Sequence, residues 1–319
     1  MSAPGDVFPL RQLGRTSLRV PEICFGGSGL ASMPEVFGYD VPEERAVATV
    51  RAVLAGPVGF LDTSAGYGDG RSERIIGTAL AEVGGPPPGF VLATKVDPDP
   101  ATGDFSGAAV RRSLESSLTR LGVDRVPLLY LHDPERISFE QGMASDGPVA
   151  ELLRIQEEGL ARHIGVAGGP VDLLRRYLGT GAFEVVLTHN RWTLLDRSAE
   201  RLIDAAWAAG VAVVNAAPFG GGLLARGPGR QDRYAYSVAD RAVLDRAREI
   251  AELCAAHEVP LPAAAIQFST RDPRIAATVI GVTRPERVAE TLELSRWPIP
   301  EELWPTLHQL AAPADHWQN

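Results

Sequence analysis

The chain has 319 residues, 31 of them basic and 40 acidic, for a formal net charge of −9. That balance disfavours a nucleic-acid surface, which needs clustered Lys and Arg against phosphate, and fits a soluble protein with a small-molecule partner. The only cysteines, Cys24 and Cys254, exclude a disulfide scaffold and a thiolate metal cluster.

The 33 Gly and 25 Pro imply either disorder or many tight turns, so their positions decide. Length alone suggests two domains, although barrels often exceed 200 residues as one. The start, Met1 to Val7, is polar and lacks the basic-then-apolar layout of a signal peptide, so a cytoplasmic location is expected. Residues 8–13 and 17–20 flank Gly14-Arg15 as a small hairpin that could close the bottom of a barrel. Short apolar runs follow at 23–26, 59–62, 90–95, 127–132, 163–166, 185–189, 211–215 and 278–281. Amphipathic stretches alternate with them at 43–54, 72–83, 108–121, 149–158, 171–178, 199–209, 241–257 and 285–294. Residues 205–225 carry no charge, but Gly210, Asn215, Pro218 and Gly220-Gly221-Gly222 break the run. It reads as a helix end, a turn, a buried strand and a glycine loop, not as a membrane span. Insertions at 33–42 and 227–239 follow strands, and 298–319 form a tail with Trp304 and Trp317, read as a packed helix or a flap.

Buried strands joined by helices indicate a parallel sheet. Eight repeats favour an α/β fold of the (β/α)8 TIM-barrel type, one domain over 1–319 with an N-terminal β-hairpin and a C-terminal tail. A doubly wound sheet is the alternative, but the Gly-x-Gly-x-x-Gly turn is missing after the first strand.

In such barrels reactive groups sit at the C-terminal ends of strands. Those ends carry Asp62, Lys95, His132 and His189, and Tyr67 lies in the loop after Asp62. A phenol near 10 needs help to move protons at neutral pH. A neighbouring ammonium should lower it, and that ammonium needs a carboxylate to stay charged. Tyr67, Lys95 and Asp62 fit those three roles, and a neutral His132 could orient a substrate oxygen. The set moves a proton on or off a carbonyl or hydroxyl oxygen, and no His, Cys or carboxylate spacing suggests a metal.

Three stretches, Phe60-Leu61-Asp62-Thr63-Ser64-Ala65-Gly66-Tyr67-Gly68, Leu92-Ala93-Thr94-Lys95 and Leu131-His132-Asp133-Pro134, resemble the aldo-keto reductase superfamily. The resemblance runs from the hairpin at 10–20 to the helix holding Glu290. It implies a (β/α)8 barrel that transfers hydride between NAD(P)H and a carbonyl, with Asp62, Tyr67, Lys95 and His132 as the catalytic tetrad. Leu131-His132-Asp133-Pro134-Glu135, Ile164-Gly165-Val166-Ala167-Gly168-Gly169-Pro170 and Val214-Asn215-Ala216-Ala217-Pro218 look like the aldose 1-dehydrogenase branch, which oxidises C1 of free sugars to lactones. Tyr39, Asp69, Arg191 and Trp192 are then candidate sugar contacts.

The same resemblance marks a cofactor site. Gly220-Gly221-Gly222-Leu223-Leu224, preceded by Pro218, matches a pyrophosphate loop. Gly281, Thr283, Arg284, Arg287, Glu290 and Thr291 match the adenosine segment. The Lys-Ser pair usual in NADPH-specific members falls on Gly281-Val282, so NAD is favoured, with dual use of NADP open. His189 stands where a Gln is usual, beside Asn190. Gly168-Gly169 replace a Ser-Asn carboxamide contact, and Ala216 replaces an aromatic. The expected partner is a small molecule, a sugar above all, with no nucleic acid, membrane or metal; the oligomeric state is left open. Two other functions remain. One is an NADPH-dependent reductase of a biosynthetic or pyridoxal-type carbonyl. The other is a cofactor-bound regulatory subunit, against which the complete tetrad argues.

Overall fold

In the computed structural model, which describes residues 8–318, eight parallel strands close into a barrel. They are β1 (Ile23–Gly26), β2 (Phe60–Asp62), β3 (Val91–Val96), β4 (Val126–His132), β5 (Ala161–Gly168), β6 (Val185–His189), β7 (Ala212–Ala216) and β8 (Ile275–Gly281). Each pairs with its neighbour in chain order, and β8 closes onto β1 through Gly281 opposite Gly26. The leader reading at 1–7 lies outside the described residues. No helix among those described is long and apolar enough to cross a membrane.

Strand side chains alternate between two apolar layers. Leu61, Leu92, Leu129, Leu131 and Val186 face the helices. Cys24, Phe60, Val91, Ala93, Leu128, Tyr130, Val185, Leu187 and Val214 fill the barrel interior. Continuing that inward set by two residues along each strand reaches Asp62, Lys95, His132, His189 and Ala216. The packing that builds the core therefore also aims these groups into the upper mouth.

The N-terminal hairpin pairs Leu10–Gln12 with Arg19–Pro21, somewhat shorter than the sequence pattern suggests. It covers the lower end: Leu13, Leu18 and Val20 join the interior layer, and Arg15 donates to the carbonyls of Gly181 and Phe183. Around the strands run α1 (Glu43–Ala55), α2 (Arg71–Glu82), α3 (Gly107–Leu121), α4 (Pro148–Glu157), α5 (Val171–Gly179), α6 (Glu200–Ala208), α7 (Arg241–Ala256), α8 (Leu261–Thr270) and α9 (Glu286–Ser295). Helix α8 has no counterpart in the sequence reading. It is buried continuously from Ala263 to Thr270, so no polar face marks a 3.6-residue period. It packs against β8 and α9, with α7 lying over it.

The tail forms α10 (Leu303–Gln309), whose Trp304 is buried, so this part packs on the barrel flank. Beyond it, Ala312 N–H donates to Leu195 O and Gln318 N–H to Asp196 Oδ2, strapping the tail to the loop after β6. Many glycines sit in turns. Gly220 and Gly221 have φ of +54° and +70°, and a Cβ there would stand 2.2 Å from the Tyr234 ring and 2.3 Å from Ala235 O. Their missing side chains are therefore required by the 227–239 insertion, whose small hairpin Arg233–Tyr234 and Ser237–Val238 presses on the loop.

Candidate active site

Lys95 organises the mouth. Its Nζ donates to Asp62 Oδ1 at 2.5 Å, to the Thr63 carbonyl at 2.8 Å and to the Tyr67 hydroxyl at 3.1 Å. Three acceptors use all three ammonium protons. Lys95 and Asp62 are almost fully buried. Burial works against the ammonium, but Asp62 and Tyr67 outweigh it, so Lys95 stays charged. Burial also raises the Asp62 carboxyl, against the pull of Lys95. Among the described residues Asp62 Oδ2 has no hydrogen-bond partner.

Tyr67 departs from the sequence expectation in one respect. The Lys95 ammonium does pull the phenol down, but burial pushes harder and leaves it above its ordinary value. Desolvation of a phenolate costs more here than one hydrogen-bonded cation returns. The resting side chain is therefore a phenol whose oxygen accepts from Lys95 and whose proton is free to be donated.

His132 meets Tyr67 edge to face, with ring centroids 5.7 Å apart. Its Nδ1 lies 2.7 Å from Asp97 Oδ1 and 3.1 Å from the Ser64 hydroxyl. Asp97 also accepts from Ser64 Oγ and, at 2.7 Å, from Gly66 N–H. Burial alone would raise Asp97, but His132, Ser64 and Gly66 outweigh it and hold the carboxyl at about 2. An ionised Asp97 can only accept, so Nδ1 carries the imidazole proton and, in the neutral ring, Nε2 is left as an acceptor. The sequence reading missed Asp97. Its signal was available, because Asp97 follows Lys95 by two residues and so falls on the same inward side.

His189 reaches the same mouth. Burial, then Arg191, push it down to about 4, so it is neutral at physiological pH. Asn190 Nδ2 lies 3.2 Å from His189 Nδ1, and the Tyr236 ring stands over His189 at 5.9 Å. Asn190 Oδ1 and Arg191 Nε are buried without partners among the described residues. The Arg191 guanidinium occupies space left by Gly169, where a Cβ would come within 3.1 Å of it. Glu135 fills the corresponding space at Gly168. The gap in the expected Ser-Asn contact is thus filled by a carboxylate and a guanidinium from neighbouring segments.

The other expected residues divide. Asp69 is exposed on the rim. Tyr39 lies 5.9 Å from the Arg226 guanidinium, on the side of the β8 segment, and not with the tetrad. Trp192 is buried in the flank 5.5 Å from Phe268, because the chain turns outward after Arg191; this placement corrects its reading as a mouth residue. Thr291 is likewise buried, on the inward face of α9. Arg284 and Arg287 both hold Glu290, at 2.8 and 3.1 Å. What burial Glu290 has raises its carboxyl, but Arg287 and Arg284 outweigh that and keep it below its ordinary value. Gly281 leaves open space where a Cβ would stand, beside Thr283. Pro218, Gly220 and Leu223 are buried at the end of β7, and Gly222 caps the short turn Leu223–Arg226.

These residues fit a nicotinamide dinucleotide. A partnerless amide oxygen and guanidinium nitrogen lie by the tetrad, and two arginines and an open glycine lie at the β8 end. Among the described residues no cluster of His, Cys, Asp or Glu could hold a metal ion.

Comparison with known proteins agrees with this geometry. The family model described as the Aldo/keto reductase family matches residues 22–312. The chain is 31% identical to D-threo-aldose 1-dehydrogenase of Pseudomonas sp over 316 residues, which span 91% of this chain and 94% of that protein. It is 31% identical to L-galactose dehydrogenase of Arabidopsis thaliana, over 89% of this chain and 86% of that one. Pyridoxal 4-dehydrogenase of Microbacterium luteolum is 27% identical, over 93% and 96%. An aldo-keto reductase of Bacillus halodurans, solved in its holo form, superposes with a TM-score of 0.78 at 24% identity, covering 96% of this chain and 97% of that one. The chain belongs to the aldo/keto reductase family of oxidoreductases.

Proposed function

We propose that this enzyme oxidises C1 of a free aldose to the lactone, with Tyr67 as general acid/base. The observation that carries the reading is the buried row Asp62–Lys95–Tyr67 beside a His132 whose Nδ1 is committed to Asp97. Lys95 holds the Tyr67 oxygen and stabilises the phenolate that must form to take the C1 hydroxyl proton. Asp62 keeps Lys95 charged. His132, with its proton on Nδ1, offers Nε2 to accept from a substrate hydroxyl and fix its angle. Arg191 and Glu135 at the glycine gap, with Asp69 on the rim, supply polar partners for the remaining hydroxyls. The aldose dehydrogenases among the relatives support a sugar as the substrate.

When bound, the nicotinamide supplies the hydride acceptor. Asn190 and His189 would hold its carboxamide end, and Gly220, Gly222, Arg284, Arg287 and Glu290 the rest of the dinucleotide. NAD is the proposed cofactor, with NADP accepted more weakly. Gly281 offers no cation, and both nearby arginines are already engaged by Glu290. A panel of free sugars with NAD and with NADP, followed by absorbance of the reduced cofactor, tests the reading. An NAD-dependent rise with at least one aldose is expected. Activity confined to aldehydes or ketones with NADPH would replace it by a carbonyl reductase, the second reading, to which the match with a pyridoxal dehydrogenase lends weight.

A further inference from the structure

Asp133 directly follows His132 at the end of β4. Its backbone is left-handed, with φ +44° and ψ +57°, and its N–H donates to the Ala167 carbonyl at 2.8 Å. That turn breaks the strand's alternation, which would otherwise send neighbouring side chains to opposite faces. Asp133 Oδ1 consequently stands 3.6 Å from His132 Nε2. Its other oxygen, Oδ2, takes one long bond of 3.4 Å from the exposed Arg136 guanidinium. A left-handed backbone on a residue with a side chain is uncommon and collects at functional sites.

Oδ1 and Nε2 are two acceptors side by side. Asp97 accepts from Nδ1 of neutral His132, so Nε2 presents a lone pair, and a carboxylate oxygen can only accept. At 3.6 Å no hydrogen bond joins them. Neither has a hydrogen-bond partner among the described residues. Both are reachable: neither belongs to the partnerless atoms sealed from solvent, and the His132 and Asp133 side chains keep 14% and 27% of their surface exposed. The carboxylate also faces the mouth, because burial and then the charge of Asp133 raise the phenol of Tyr236, whose ring stands over His189. Two lone pairs held this close repel each other, and a ligand that brings one donor to each relieves both.

We propose that Asp133 Oδ1 and His132 Nε2 form a paired acceptor for two neighbouring hydroxyls of the substrate, and that Asp133 thereby sets a preference for polyhydroxy substrates over plain aldehydes. The inference rests on the aldose reading for the class of substrate. A single hydroxyl has one proton and meets only one of the two acceptors. Hydroxyls on adjacent carbons supply one proton to each. A carbonyl compound without them leaves both lone pairs unmet, and a site built to accept from a hydroxyl rejects the analogue that lacks it.

Reduction kinetics of the full-length enzyme, with NADH and with NADPH, test this on three aldehydes. Glyceraldehyde carries both hydroxyls, lactaldehyde lacks the outer one, and propanal lacks both. The wild type should favour glyceraldehyde over propanal in kcat/KM by about a hundredfold or more, with lactaldehyde between them. Asp133→Gly removes the carboxylate and keeps a left-handed backbone without strain, and it should cut the glyceraldehyde-to-propanal ratio by about tenfold or more. The ratio cancels any common loss from altered folding, so a merely structural Asp133 would leave it unmoved. If Asp133→Gly melts early, Asp133→Asn carries the test with a fall of about threefold or more, since a neutral oxygen accepts more weakly than a carboxylate. A ratio that these variants leave unchanged would overturn the proposal. So would a wild type without preference for glyceraldehyde, whether from equal rates or from no turnover of either. Failure of the aldose reading looks different: no free sugar yields lactone, while the glyceraldehyde preference and its loss in Asp133→Gly persist.

Discussion

Asp97 offers the sharpest test of how the site is held. Replacing it with Asn removes the carboxylate bonded to His132 Nδ1, and the single amide oxygen that remains cannot accept both from that nitrogen and from Ser64 and Gly66. The fall of its carboxyl from 3.8 to about 2 corresponds to about 2.5 kcal/mol favouring the ionised, folded form. Because the folded value is depressed, this stabilisation is complete above about pH 4 and is lost as pH falls towards 2. Urea unfolding at pH 7 should therefore show Asp97→Asn less stable by about 2–3 kcal/mol, and the gap from wild type should close between pH 4 and pH 2. An Asn amide can donate to Nδ1, which releases the tautomer and the ring angle of His132. Turnover should fall by about tenfold to a hundredfold, as misplaced catalytic groups commonly cost. Equal stability at pH 7 with undiminished kcat/KM would refute the coupling of Asp97 to His132.

The remaining expectations concern the charged row and the cofactor end. Tyr67→Phe should lower kcat by at least about a hundredfold while cofactor affinity, read by fluorescence titration, stays within about twofold. Since burial holds the wild-type phenol above its ordinary value, kcat/KM for oxidation should rise steadily from pH 7 to pH 9; a plateau from pH 7 upward would show that Tyr67 is not the base. Asp62→Ala leaves the buried Lys95 ammonium without its carboxylate and should cost about 3–5 kcal/mol in denaturant unfolding, whereas a cost under 1 would show that Thr63 and Tyr67 suffice. Glu290→Gln removes the charge that Arg284 and Arg287 share, leaving Arg284 only the longer pair with Glu286, and the NADP-to-NAD ratio of kcat/KM should rise about threefold or more; an unchanged ratio would remove these arginines from the 2′-phosphate.

Much of this was legible in the sequence because two periodicities carry it. The alternation that puts Phe60 and Asp62, or Leu128, Tyr130 and His132, on one side of a strand is visible in the residues themselves. It also reaches Asp97, one step past Lys95, though a proline-flanked acid beyond a strand reads as a turn. Helix α8 was hidden because burial on every side erases the period. The direction of the Tyr67 shift was hidden for another reason. Proximity to an ammonium can be inferred from strand ends, but the desolvation that outweighs it depends on how completely the loop closes over the ring. Trp192 shows the same limit. It follows the mouth residue Arg191 directly, yet a single turn of the chain sends it into the flank.

Transfer of hydride from C1 of an aldose is read directly by isotope labelling. With an aldose deuterated at C1 and NAD or NADP, deuterium is expected in the reduced nicotinamide together with an equal amount of lactone, and both should be lost in Tyr67→Phe. Deuterium retained at C1 while turnover proceeds on an aldehyde would contradict it.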